Sequence, residues 1–331
     1  MGDRAMMPAS QVPQDVVPPQ AQDTVPTQAQ DIVSQIVAFM QRASMEATRP
    51  TPADAEMLSA VLPHGTDIFL SAVPRRPRGE VIAAARAIRT AGLNPVPHIA
   101  ARAYPSLEAA REHLARLRDE ADIRALLVIG GDLDQPAGDI LEARQLIESG
   151  VLPALGIERV GIAGHPAGHP RMSDEELESV LVTKIAAAQS SGLEVEIVTQ
   201  FCFEPATIID WIAWLRRRGV NLPVRIGLAG PTSLMTWLNY ARRCGVRASA
   251  EGLARRSGLV KHLFNAVAPD SILRALAQAR QAELPSTDRL GDVSAHFYSF
   301  GGIGPTARWV ASAMHGAITL DKEGGFQVEH E

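Results

Sequence analysis

From about residue 31 onward, short apolar runs alternate with longer stretches in which apolar residues recur every three or four positions. The short runs read as strands and the 3.6-residue periodicity reads as amphipathic helix. Eight strands are predicted: Ser44–Ala47, Asp67–Ala72, Pro95–Ile99, Ala125–Ile129, Arg159–Ala163, Glu194–Thr199, Val224–Leu228 and His296–Phe300. Helical spacing covers Arg78–Ala91, Ser106–Glu120, Ser173–Ser191, Pro205–Arg218 and Ser233–Cys244 between them, and Asp31–Arg42 ahead of the first strand. Strands that alternate with helices in this way imply βαβ units and a parallel sheet. Eight units over roughly 260 residues predict an α/β fold of the (β/α)8 TIM-barrel type, here with an extra N-terminal helix. A doubly wound open sheet would carry Gly-x-Gly-x-x-Gly after its first strand, and none stands there.

The first thirty residues break the pattern. "VPQDVVPPQAQDTVPTQAQDIV" is a degenerate repeat rich in Pro and Gln with little to bury, so residues 1–30 are expected to form a disordered arm and 31–331 a single catalytic domain. A net charge of −5 over 331 residues argues against a nucleic-acid partner. No apolar run approaches the roughly 20 residues that span a bilayer, and no signal-peptide core opens the chain, so no membrane association is expected. Two cysteines without motif spacing suit a reducing, cytoplasmic compartment. Oligomeric state is not readable, and a homo-oligomer stays open.

In a barrel of this kind, chemistry sits at the C-terminal ends of the strands. Those ends carry Glu46, Ser71, His98, Asp132, His165, His169, Gln200 and Tyr298. Two of the nine histidines fall in the Gly/Pro loop "GHPAGHP" after the fifth strand. At positions i and i+4 they would share a helix face, but Pro166 and Pro170 forbid a helix there. With no Cys or carboxylate inside the loop, no metal site is expected.

The same strand ends resemble the methylenetetrahydrofolate reductase family, of the bacterial catalytic-domain type, over roughly residues 43–315. "SMEA" is similar to the family's first strand with its glutamate, and "PVPHIAAR" to the third with its Pro-His. "VIGGD" is similar to a fourth strand ending Arg-Gly-Asp, and "AGHPAGHP" to a Gly-Tyr-Pro-x-x-His-Pro loop. "IVTQFCFEP" is similar to the sixth strand, and "HFYSF" to the eighth. The resemblance implies interconversion of 5,10-methylenetetrahydrofolate and 5-methyltetrahydrofolate, with FAD relaying hydride from NADH or NADPH.

Site roles follow from it. Opening the substrate's imidazolidine ring requires an acid at N10, and a carboxyl in a partly apolar strand end can hold the raised pKa this needs, which points to Glu46. Asp132 would assist at the pterin and stabilise the developing cation, and Gln200 would read the pterin edge with its amide. Tyr298 joins the substrate side. Ser71, His98, Gly131, His165, His169 and Lys184 fall to the cofactor.

The departures cluster on the cofactor side. Gly130 stands for the arginine of Arg-Gly-Asp and His165 for the tyrosine. On the helix "SDEELESVLVTKIAAAQSSG", Lys184 is the one cation where relatives hold the FAD diphosphate with several charges. "GVRASAEGLARRSG" lacks the aromatic that stacks on ligand in relatives. Two features compensate: the arginines of "PRRPRG" after the second strand, and "GGIGPTARW", whose glycine-rich turn into a helix could cradle a phosphate or simply make a tight turn. Direct hydride transfer from the nicotinamide is therefore an open alternative to a flavin relay. So are a non-catalytic folate-binding barrel and a methyltransferase partner that handles methyltetrahydrofolate.

Overall fold

A computed structural model describes residues 28–244, 266–282 and 289–329. Eight parallel strands close into a barrel in chain order: β1 Ser44–Ala47, β2 Asp67–Leu70, β3 Asn94–Ala100, β4 Ala125–Ile129, β5 Arg159–Gly164, β6 Glu194–Thr199, β7 Val224–Ala229 and β8 Val293–Tyr298. β8 pairs with β7 on one side and β1 on the other, which closes the ring. The helices are α1 Gln28–Met40, α2 Pro52–Val61, α3 Arg78–Thr90, α4 Leu107–Ala121, α5 Ala143–Glu148, α6 Val151–Ala154, α7 Asp174–Ser190, α8 Pro205–Arg217, α9 Leu234–Cys244, α10 Asp270–Gln281 and α11 Ile303–His315. The fold is the (β/α)8 barrel that the periodicity predicts.

Local chemistry sets the helix starts. Thr51 and Asp54 form a reciprocal capping box with Pro52 in the first turn of α2, and Ser173 and Glu176 do the same for α7. Ser106 caps α4 alone. The N-terminal helix begins at Gln28, so the last three residues assigned to the arm are helical instead, and residues 1–27 lie outside the described part. Ile36, Phe39 and Met40 of α1 are buried where it packs on α10 and α11.

The last strand differs most from its predicted position. It starts at Val293 and ends at Tyr298, because Val293–Tyr298 pairs residue for residue with Val224–Ala229. Ser299 and Gly302 then close a turn, which leaves Phe300 beyond the sheet. "GVRASAEGLARRSG" lies outside the described residues. "GGIGPTARW" does enter a helix, and Gly301 there is required by packing: a Cβ on it would sit 2.0 Å from the Pro231 carbonyl oxygen.

Alternate residues of each strand point inward and stack in layers. At the N-terminal end of the barrel, Asp67, Glu196 and Arg225 are nearly covered and form an ionic quartet with the partly exposed Arg159. Arg225 Nη2 and Arg159 Nη2 lie 2.6 and 2.7 Å from Asp67 Oδ2, and Arg225 Nε lies 2.8 Å from Glu196 Oε2. Above them Phe69, Val96, Leu127 and Val198 fill the middle. This plugged core leaves the C-terminal rim as the place for chemistry. Among the described residues, no helix is long and apolar enough to cross a membrane.

Candidate active site

The rim is built from adjacent strand ends. Glu46, third residue of β1, accepts a hydrogen bond on Oε2 from Ser71 Oγ at 3.0 Å, just past β2. Ser71 has one hydroxyl proton, so Thr48 Oγ1, 2.8 Å away, donates to it in turn. On the other side, His98 Nε2 from β3 lies 3.2 Å from Glu46 Oε1, off the line of a hydrogen bond and with no other partner. Both side chains are almost covered, at 12% and 9% exposed.

Burial dominates the electrostatics here. It pushes the Glu46 carboxyl up to about 7, against the smaller opposing pull of the Ser71 hydrogen bond. It pushes the His98 imidazole down to about 3. The pair therefore favours a neutral acid beside a neutral imidazole over an ion pair. Near neutrality the labile proton belongs to Glu46, as a general acid requires.

Tyr298 closes the site from β8. Its hydroxyl donates to the Thr199 carbonyl oxygen at 2.9 Å, and burial, with the nearby Glu46 charge, holds the phenol well above its usual range. Reaching from β8 to β6 means passing β7 at Gly227, where a Cβ would meet Thr199 O at 2.3 Å. Only glycine leaves that crossing open. His296, fully buried one layer below, pairs through Nδ1 with Ser44 Oγ at 2.9 Å and packs against Phe69 and Tyr298. Its Nε2 has no partner, and burial holds the ring well below its usual pKa.

An aromatic wall flanks this cluster. Phe300 lies parallel to Tyr298 at 5.5 Å and to Tyr240 of α9 at 3.9 Å, with Phe201 edge-on to Tyr298 and Phe300. His296 and Tyr240 were not singled out from the sequence. The alternation along β8 puts His296 on one face with Tyr298 without saying which face turns inward. Tyr240 carries no signal beyond its helical spacing.

Among the described residues, the remaining expected ones make no hydrogen bond or ion pair with Glu46. Gln200 turns back on its own chain, with Oε1 accepting from the Phe201 amide at 3.1 Å, which takes one of its two acceptor positions. Asp132 is exposed in the loop after β4 and makes no side-chain hydrogen bond among the described residues; its charge is felt at His169. Asp132 follows Gly131, whose φ of 96° and 2.9 Å approach to the Ala100 side chain admit no Cβ.

His165 and His169 form a pair of their own, edge to face at 5.2 Å, with His169 Nδ1 accepting from the Arg171 amide. Burial first, then the neighbouring His169 and Lys184, push His165 down to about 4. Lys184 is buried on α7 and pushed down to about 8 by burial, partly countered by Glu142. Among the described residues, no three His, Cys, Asp or Glu side chains gather as a metal-binding group.

No protein-family model matches the chain. Among solved structures it is similar to the apo form of a protein designated a deoxyribose-phosphate aldolase, from Toxoplasma gondii ME49. That match has 8% identity and a TM-score of 0.44, covering 88% of this chain and 99% of the other. It is also similar to a protein designated a phosphonomutase, from Burkholderia cenocepacia J2315, at 14% identity and TM-score 0.43, covering 70% of this chain and 98% of the other. At that distance neither likeness bears on substrate or chemistry.

Proposed function

We propose that the protein is an enzyme of the methylenetetrahydrofolate reductase type, interconverting 5,10-methylenetetrahydrofolate and 5-methyltetrahydrofolate at the expense of NADH or NADPH. The observation that carries the reading is Glu46: a buried strand-end carboxyl raised to about 7, so that a proton is still available near neutrality, fixed by Ser71 and facing a neutral imidazole. Its proton goes to N10 of the folate as the N10–C11 bond breaks, leaving a cationic N5 iminium. Hydride from the nicotinamide C4 then adds to that methylene carbon, giving N5-methyl and oxidised nicotinamide. The Tyr298–Phe300–Tyr240 rings offer flat apolar surface to the planar parts of the ligands.

A resident FAD fits these residues poorly. Its diphosphate would need cations beside the His165–His169 loop, and among the described residues the buried cation whose charge reaches His165 is Lys184. Arg171 there is paired with Asp134 at 2.9 Å, and Asp174, Glu175 and Glu176 occupy the first turn of α7. Carboxylates at a helix start occupy the position that would otherwise favour a phosphate. No step is therefore routed through a flavin, and the hydride passes directly.

The test is turnover of 5,10-methylenetetrahydrofolate with NADH or NADPH by freshly purified protein, with an absorbance spectrum for flavin bands near about 450 nm. Glu46→Gln keeps the shape but cannot deliver the proton, and should cut turnover by at least about 100-fold with folate affinity nearly unchanged. A variant within a few-fold of wild type would move the acid elsewhere.

A further inference from the structure

Four arginines stand on the loops that follow β2 and β3: Arg75, Arg76 and Arg78 in "PRRPRG", and Arg102 in the turn Ala101–Ala103. One carboxylate answers them. Arg76 Nε lies 3.3 Å from Glu80 Oε2, while among the described residues Arg75, Arg78 and Arg102 have no carboxylate within 4.0 Å. Three positive charges are thus left over on one side of the barrel mouth, in a chain whose net charge is −5.

Arg76 is unusual for a surface loop, because its side chain is only 4% exposed. Its Nε and Nη2 turn to Glu80, and its buried Nη1 has no hydrogen-bond partner. Arg102 repeats the pattern: Nη2 donates to the Asp134 carbonyl oxygen at 2.8 Å, while Nε is buried and unpartnered. Covered guanidinium N–H groups without acceptors are disfavoured unless something supplies the acceptor.

The surrounding backbone holds both arginines in place. Arg75 sits at φ 62°, in the left-handed region that non-glycine residues avoid. Arg78 ties the β2 loop to the β3 loop, with its guanidinium carbon 4.5 Å from the centre of the Tyr104 ring. The Arg102 amide bonds Gly130 O at 3.0 Å, which ties in the β4 loop as well. The first of these loops begins at Ser71, the residue that touches Glu46.

We infer that Arg76 and Arg102 form an oxyanion-binding site on the β2–β3 rim, which takes a phosphate or carboxylate group of a ligand whose reacting end lies at Glu46. The site stands on the arginines themselves; the ligands that would bring the oxyanion there, a nicotinamide dinucleotide or a folate with its glutamate carboxylates, rest on the function proposed above. Two guanidinium groups on neighbouring loops suit such a group, since each can donate more than one charge-assisted hydrogen bond.

Calorimetric titration of the full chain with sodium pyrophosphate tests the site without reference to activity. Wild type should bind, and Arg76→Met and Arg102→Met should each weaken binding by at least about tenfold, the scale of one lost charge-assisted hydrogen bond. Arg76→Lys should fall between. If Arg76→Met loses its circular dichroism, Arg102→Gln carries the same comparison.

Two further arms identify the source. A loss for NADPH but not for reduced nicotinamide riboside assigns the site to the dinucleotide phosphates. A loss for 5-methyltetrahydrofolate but not for its analogue lacking glutamate assigns it to the folate tail. Pyrophosphate affinity that is equal in wild type and both variants, or absent from wild type, overturns the site. Pyrophosphate bound through the arginines by a protein that binds neither NADPH nor folate would sink the reductase reading and leave the site standing.

Discussion

Glu46 pays for its chemistry in stability, and the sign can be worked out. Its folded pKa, about 7, lies above the 4.5 of an ordinary glutamate. Its contribution is therefore fully present below about pH 4.5 and is lost as pH rises toward 7, by up to about 3 kcal/mol. Glu46→Gln cannot ionise, so at pH 8 it should unfold at higher denaturant than wild type, while at pH 4 the two should coincide. Equal midpoints at both pH values would mean that Glu46 is solvated. At this scale the sequence was partly legible. Glu46, Ser71 and His98 meet because strand ends in a parallel barrel must converge, whatever their side chains. The exposed loop position of Asp132 and the back-turned amide of Gln200 were not legible, because each is set by a loop path or by the nearest free backbone N–H. His296 was hidden for a different reason: a histidine pointing into a barrel and one on its outer face occupy the same strand pattern.

At the scale of elements, seven of the barrel strands fall within two residues of their predicted bounds, since apolar runs between helical stretches leave little choice. β8 slipped because "HFYSF" stays apolar beyond the residues that β7 can pair. The ionic quartet of Asp67, Arg159, Glu196 and Arg225 was not legible. Polar residues alternating with apolar ones along a strand ordinarily signal a solvated face, whereas here they line the floor of the barrel. These charges leave water together and compensate one another, with Arg225 bridging both acids. Arg225→Met would leave Arg159 alone to answer both acids, at 2.7 Å from Asp67 and 3.5 Å from Glu196. It should lower unfolding free energy by about 3–5 kcal/mol, the usual result of removing one member of a buried pair. Chemical denaturation measures this directly, and a loss below about 1 kcal/mol would show that water reaches the floor.

For the whole molecule, buried neutral histidines set the response to acid. Burial pushes His98 down to about 3, His113 and His165 down to about 4, and His296 well below its ordinary 6.5. Each contributes stability that is present above pH 6.5, the unfolded value, and is lost as pH falls toward the folded one. Glu46 acts in the opposite sense between about pH 4.5 and 7, because its folded form keeps a proton that the unfolded form has released. One carboxyl cannot balance four imidazoles. Near pH 5.5, unfolding should take up about three protons net, a slope of roughly 4 kcal/mol per pH unit. The melting temperature should therefore fall steeply between pH 6.5 and 4.5, ahead of any protonation of ordinary surface carboxylates. Replacing His113, which sits on α4 and bonds Tyr104 through Nδ1 at 2.6 Å, should remove close to one proton from that slope and leave Glu46 untouched. His113→Gln keeps a polar group for the Tyr104 hydroxyl, so lost packing should not mask the change. A flat melting temperature over that range would mean that the imidazoles are hydrated and charged in the folded protein, with the barrel interior wet rather than closed.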